Sequence, residues 1–230
     1  MSELDKYAKP SVTADLVVFA VIENDLKVLL IKRGREPFSG MWCLPGGFVR
    51  VDESVESAAM RELKEETGVS DVYLEQLYTF GNPKRDPRGR VITVAYYALV
   101  DSSKIKPHVT GDEGIESVQW FSVKELPKLG FDHDEIFHYA LKRLRYKLEY
   151  TAVGLELLPE LFTMTDIQNL YEIILGAKVD KRNFRKKMHL MNIVEATHHV
   201  KKGQHRPAIL YKFKESKHQS KFKKVKFEKT

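Results

Sequence analysis

The chain has 230 residues, 43% of them apolar, enough for one large domain or two small ones with a real core. A single cysteine, Cys43, excludes a disulfide framework and a cysteine-based zinc site. There is no leader-like segment and no long apolar run, so a soluble cytoplasmic protein without a membrane partner is expected. The net charge of +6 is lopsided: residues 181–230 hold 16 lysines and arginines against three acids, and the rest of the chain holds 22 against 29. Such asymmetry points to a polyanion partner for the C-terminal part.

Residues 1–12 are polar and read as a loose end. Leu16 to Ile22 and Lys27 to Lys32 are β-rich runs around Glu23-Asn24-Asp25, the pattern of a hairpin. In Met41 to Leu44, Cys43 sits between Trp42 and Leu44 and reads as a core residue rather than a nucleophile. Leu44-Pro45-Gly46-Gly47 is a turn in which glycine lets backbone approach a metal or phosphate closely. Ser54 to Thr67 then reads as a helix, with Val55, Ala59 and Leu63 as its apolar stripe.

On and around that helix lies a dense constellation: Gly47, Glu53, Arg61-Glu62-Leu63, Glu65-Glu66 and Gly68-Val69. Glu62, Glu65 and Glu66 fall at i, i+3 and i+4, so their carboxylates share one face and repel. A divalent cation removes that conflict. Magnesium prefers hard oxygen ligands and completes its shell with water and substrate phosphate. Arg61 and Glu53 are placed to pair across the loop and fix its shape.

Beyond the helix, Val72 to Phe80, Arg90 to Val100 and Ser117 to Phe121 read as strands. A short helix is expected after the last, with Ser122 and Glu125 as a capping pair. Asp132 is expected to cap a longer helix running to Tyr146. His133 and His138 lie on it at a spacing unsuited to a shared metal. Leu148 to Leu161, with Gly154 and Pro159, reads as a connection. Thr163 and Asp166 form a second capping-box pair, followed by the stripe Ile167, Leu170, Tyr171 and Ile174. Gly176 ends this helix, and Asp180 caps another in which Phe184, Met188 and Met191 face inward. Ile193 to Val200 and Ala208 to Phe213 read as two strands, with His198 and His199 on opposite faces. The order helix, short turn, basic helix, basic hairpin is the outline of a winged helix-turn-helix, whose second helix enters the major groove. Arg182 or Arg185 could read guanine edges there. The lysine-rich tail beyond Lys214 is expected to be disordered.

The constellation resembles the Nudix box, Gly-x5-Glu-x7-Arg-Glu-U-x-Glu-Glu-x-Gly-U with U apolar, and no position departs from it. The resemblance implies an α/β fold, a mixed sheet sandwiched between helices, and Mg2+- or Mn2+-dependent hydrolysis of a nucleoside diphosphate linked to another group. It implies Glu62, Glu65, Glu66 and the Gly46 carbonyl as metal ligands, and Gly47, Glu53, Arg61 and Gly68 as the structural members. A further catalytic glutamate is expected before Trp120: Glu116, with Glu113 as its rival. Together the two halves resemble the Nudix-related transcriptional regulators. Arg85 to Thr93, Leu157 to Thr163 and Asp180 to Lys186 look like segments of that group. Its members are dimers that bind operator DNA and respond to a small metabolite in the Nudix pocket. The resemblance implies ADP-ribose as ligand, or a pentose in sugar-linked members. Arg33, Arg35, Arg85, Arg88 and Arg90 are expected to meet phosphate or ribose. Lys181, Arg182, Asn183, Arg185, Lys186, Lys201, Lys202 and Arg206 are expected to meet DNA. The domain plan is 1–148 for the Nudix part, 149–162 for the linker, 163–214 for the winged helix and 215–230 for the tail. Two alternatives stay open: a metabolic ADP-ribose pyrophosphatase with an accessory domain, and a sugar-responsive regulator that does not hydrolyse.

Overall fold

The computed structural model describes residues 3–7, 9–67, 72–102, 114–148, 151, 153–201 and 207–214. The chain divides into two compact units. One comprises Met1–Phe19, Lys27–Ala98 and Ile105–Ala140, and the other Ala20–Leu26, Leu99–Lys104 and Leu141–Thr230, each within its described residues.

A mixed seven-stranded sheet carries the first unit. β1 (Ser11–Ile22) and β2 (Asp25–Arg33) form the expected hairpin. Glu23 and Asn24 both have positive φ, 53° and 60°, as a two-residue turn matching strand twist requires. The strand order is β3 (Trp42–Cys43), β2, β1, β6 (Val91–Leu99), β5 (Tyr73–Phe80). The short β4 (Gly46–Phe48) pairs with β1, and β7 (Ile115–Ser122) pairs with β2, both antiparallel. Every residue of β1 from Thr13 to Ala20 is buried. A strand buried on both faces reads as a continuous apolar run, which explains Leu16-Val17-Val18-Phe19. Phe19 meets Phe137 of α2 (His133–Lys147) at 6.3 Å between ring centroids. Helix α1 (Val55–Thr67) buries Ala58, Ala59 and Leu63; of the stripe expected from the spacing, Ala59 and Leu63 are buried and Val55 is half-buried. Ser54 caps it, its Oγ accepting the Ser57 amide at 3.0 Å.

The second unit holds α3 (Met164–Leu175), α4 (Lys181–Met191) and the antiparallel hairpin β8 (Val194–Lys201) and β9 (Ala208–Phe213). Thr163 and Asp166 make a reciprocal capping box on α3. Gly176 closes α3 at φ 68°, a left-handed conformation that glycine takes without strain. Asp180 caps α4 by accepting the Asn183 amide at 2.8 Å. Ile167, Leu170, Tyr171, Ile174, Phe184, Met188 and Met191 form the core as expected, with Tyr171 edge-on to Phe184. Phe162 and Tyr211 exchange both backbone hydrogen bonds, adding a bridge to the hairpin.

Three expectations need correction. No short helix follows β7: Ser122 caps only a turn, its Oγ taking the Lys124 amide. Asp132 sits at the start of α2, but its carboxylate goes to Arg85 instead of the helix amides. The connection after α2 is not bare chain. Val153–Leu157 is a 3-10 turn with Val153, Leu155 and Leu157 buried, and it packs on α3. A Cβ at Gly154 would press on Leu148, so glycine permits the close approach.

Candidate functional site

The box turn is shaped by glycine. Gly46 has φ +151°, and a Cβ there would strike the Ala14 carbonyl and Asp15 across the β1–β4 ladder. A Cβ on Gly47 would overlap the Glu62 carboxylate, which therefore lies directly against the turn backbone. This is the physical reason for glycine at both positions.

Arg61 is the hub of the box. Its side chain is 18% exposed, and the guanidinium donates to both oxygens of Glu53, at 3.1 and 2.7 Å. It also reaches the Phe48 carbonyl at 3.3 Å. One nitrogen, Nη1, donates to Glu62 at 2.7 Å and to Glu65 at 3.3 Å. Glu53 further accepts the Arg50 amide at 2.9 Å. Hydrogen bonds from Arg61, then from the Arg50 amide, hold the Glu53 carboxyl down at about 2. The Arg61–Glu53 pair expected from the sequence is thus present, and the same guanidinium draws two of the three helix glutamates to one point. Two converging carboxylates form a hard-oxygen donor set, which fits magnesium or manganese. Glu66 lies on α1 with its side chain outside the described residues, as do Gly68, Glu113, Lys202 and Arg206. Among the described residues no cluster of three or more potential metal ligands occurs.

The five arginines expected around a ligand part company. Arg85 is consumed inside the protein: its side chain is 3% exposed, with Asp132 at 2.8 Å through two nitrogens and Asp15 at 3.0 Å. Burial works against its charge, but Asp132 and Asp15 hold its pKa above the ordinary value. A guanidinium engaged in this way meets carboxylates and not phosphate, so the expectation for Arg85 is corrected. Arg88 differs. Its side chain is 40% exposed and braced on Asp86 at 2.7 Å. Its guanidinium lies 5.2 Å from the Phe48 ring and 5.6 Å from Phe131, beside the box strand β4. Arg33 lies over Phe131 at 5.1 Å and donates to the Pro37 carbonyl, while its Nη2 is buried without a hydrogen-bond partner among the described residues. Arg90 holds the Gly81 carbonyl at 2.8 Å, and Arg35 is exposed beside Gly114. Glu116, on β7, has Lys32 as its ion-pair partner at 3.0 Å, and a Cβ added at Gly34 would come within 3.3 Å of its Cγ.

Cys43 lies in the core as expected: the thiol is buried, and burial pushes its pKa up to about 11. His133 carries more than its spacing suggested. It is buried, its Nδ1 accepts the Leu44 amide at 2.9 Å, and Asp15 lies 3.8 Å from its Nε2. Burial lowers its pKa, against the pull of Asp15 and Asp132. Reading the sequence missed this group of Asp15, Arg85, Asp132 and His133. Its one local signal was Asp15, a lone acid at the head of an apolar strand, which needs a buried cation.

In the second unit, Lys181, Arg182, Asn183 and Lys186 are exposed on α4, and Arg185 is half-buried. Phe184, Met188 and Met191 anchor the opposite face, so the cations are displayed by a packed helix. Lys201 ends β8, 3.9 Å from Asp166.

Comparison with known proteins accords with this geometry. The NUDIX domain model matches residues 13–140, and the NrtR DNA-binding winged helix domain model matches residues 154–213. Over 211 residues the chain is 41% identical to the ADPR responsive transcriptional repressor NtrR of Acinetobacter baylyi, covering 90% of this chain and 83% of the relative. It is 43% identical over 130 residues to the ADP-ribose pyrophosphatase of Methanocaldococcus jannaschii, covering 56% of this chain and 72% of that enzyme. The crystal structure of Shewanella oneidensis NrtR complexed with a 27mer DNA superposes with a TM-score of 0.79 at 36% identity, covering 88% of this chain and 93% of that one. An arginine-held pair of box glutamates in one unit and a capped basic helix with its hairpin in the other agree with these matches: the chain belongs to the Nudix family and carries an NrtR-type winged helix domain.

Proposed function

We propose that this chain is an ADP-ribose-responsive, DNA-binding transcriptional repressor of the cytoplasm, acting as a homodimer. The observation that carries the reading is the pairing, in one chain, of the Arg61-held box with the exposed cations of α4. The named repressor relative spans both halves, which favours this reading over a hydrolase with an accessory domain. Operator DNA would meet Lys181, Arg182, Asn183, Arg185 and Lys186 on α4, and Lys201, Lys202 and Arg206 on the hairpin. Lysines there neutralise phosphate, and arginines add base-edge contacts. The ligand would meet Arg88, whose guanidinium is partly open between two rings beside the box, together with Arg33, Arg35 and Arg90. The test is retention of promoter DNA by the full chain with and without ADP-ribose. Unchanged retention across a saturating range of ADP-ribose would refute the response to ADP-ribose, and no retention at all would refute the regulator.

The complete box favours a second activity in the same pocket, hydrolysis of the bound ADP-ribose. Glu62, Glu65, Glu66 and the Gly46 carbonyl would hold Mg2+ or Mn2+. Such an ion polarises phosphoryl oxygen and lowers the pKa of bound water. Arg61 keeps Glu62 and Glu65 together, and Gly47 gives Glu62 its seat against the turn. Glu116 is the candidate base and would have to leave Lys32 to act. Release of AMP from ADP-ribose, lost in Glu65→Gln and Glu66→Gln, tests it. If neither variant differs from the parent chain, the box is not catalytic.

A further inference from the structure

Leu44 opens the turn that bears Gly46 and Gly47, and its amide is buried. An enclosed N–H must find an acceptor, and here it finds a side chain 89 residues away, the Nδ1 of His133 at 2.9 Å. A ring nitrogen that accepts carries no proton, so the ring is neutral with its hydrogen on Nε2. Nε2 faces Asp15, which Arg85 clamps at 3.0 Å while gripping Asp132, the chain neighbour of His133, through two further bonds. A charged network thus stands behind the ring, with Asp15 3.8 Å from Nε2. The following residue of the turn is tied as well: the Leu16 amide donates to the Pro45 carbonyl at 2.9 Å. Gly47 then gives Glu62 its seat.

We infer that His133 is a positioning residue of the metal site. By accepting the Leu44 amide it sets the height of the Gly46–Gly47 backbone against Glu62, and the negative Asp15, held by Arg85, favours the tautomer that turns an N–H toward it and leaves Nδ1 to accept. The inference rests on the metal-site reading above. It assigns this polar core a task in function beyond filling space, in the manner of the outer groups that orient metal ligands.

The probe is Mn2+ alone, titrated into the full chain and read by electron paramagnetic resonance. His133→Leu keeps bulk but offers no acceptor; His133→Asn places an amide oxygen near the Nδ1 position. Mn2+ affinity is expected to fall about 10- to 100-fold in His133→Leu and to recover in His133→Asn. Nitrogen-15 spectra of the parent chain at neutral pH are expected to show an unprotonated Nδ1 coupled to the Leu44 amide. A protonated Nδ1, or equal Mn2+ affinity in His133→Leu and the parent, would overturn the inference. Glu62→Gln is titrated in parallel. If Glu62→Gln weakens Mn2+ and His133→Leu does not, the positioning role is wrong while the metal site stands. If Glu62→Gln has no effect, the metal site itself is wrong, and the role assigned to His133 falls with it.

Discussion

Arg61 places one positive charge among three glutamates and a carbonyl, and each contact has a consequence that can be measured. Glu53 holds its carboxyl at about 2, whereas an unfolded glutamate titrates near ~4.3. A depressed folded value gives stabilisation that is complete above the unfolded value and lost as pH falls towards the folded one. In calorimetric melting curves, Glu53→Gln should therefore flatten the dependence of Tm on pH across the acid window from about 4.3 down to 2. Equal slopes in variant and parent would mean that the pair does not couple to folding. Gly47 offers a second test. Alanine there sets a methyl group into the Glu62 carboxylate, which must move away. Misplacing a reacting group by an ångström costs on the order of 100-fold, so AMP release by Gly47→Ala should fall by about that factor with promoter retention unchanged. An equal loss of DNA retention would show general damage instead.

Elements differ in how openly the sequence declares them. The two caps on α3 and α4, the apolar stripes, the glycine stop and the β1–β2 turn were all legible, because each depends on residues within one or two helical turns. The Arg61–Glu53 pair was legible for the same reason, spanning eight positions in a fixed pattern. What could not be read was pairing at a distance: Arg85 to Asp15 across 70 positions, Arg85 to Asp132 across 47. Arg85, surrounded by other arginines in an apparent loop, looked like a surface cation until its two carboxylates were in place. Ser122 misled because a capping pattern was present without an apolar stripe behind it. The α4 cap gives a direct test of the local logic. Asp180→Ala removes the acceptor for the Asn183 amide and should cost about 1 kcal/mol of unfolding free energy in urea titration. A change below a few tenths would mean that packing of Phe184 and Met188 alone sets the helix start. The exposed face of α4 makes a separate claim. If Lys186 neutralises one phosphate, Lys186→Ala should reduce the slope of log affinity against log salt by about 1 while leaving sequence preference intact. An unchanged slope would remove Lys186 from the interface.

At the scale of the whole molecule, the acidic excess of the first 180 residues and the basic excess of the last 50 accord with the two ligands proposed for one chain: a cation with a diphosphate, and a polyanion. If ADP-ribose in the first unit changes the DNA affinity of the second by some factor, linkage requires that DNA change ADP-ribose affinity by the same factor, whatever path joins the sites. The equality applies to binding alone, so turnover must be stopped, and Glu65→Gln in the full chain serves that purpose. Promoter affinity of this variant, measured by fluorescence anisotropy with and without saturating ADP-ribose, should weaken by about 5- to 150-fold, the span of ordinary allosteric coupling. Calorimetric ADP-ribose affinity, measured with and without saturating promoter DNA, should weaken by that same factor. A large effect in one direction with none in the other would mean that the DNA-binding and ADP-ribose-binding species are not one protein at equilibrium. No effect in either direction would leave a DNA-binding chain and an ADP-ribose site that ignore each other, and the repressor would have to respond to a different metabolite.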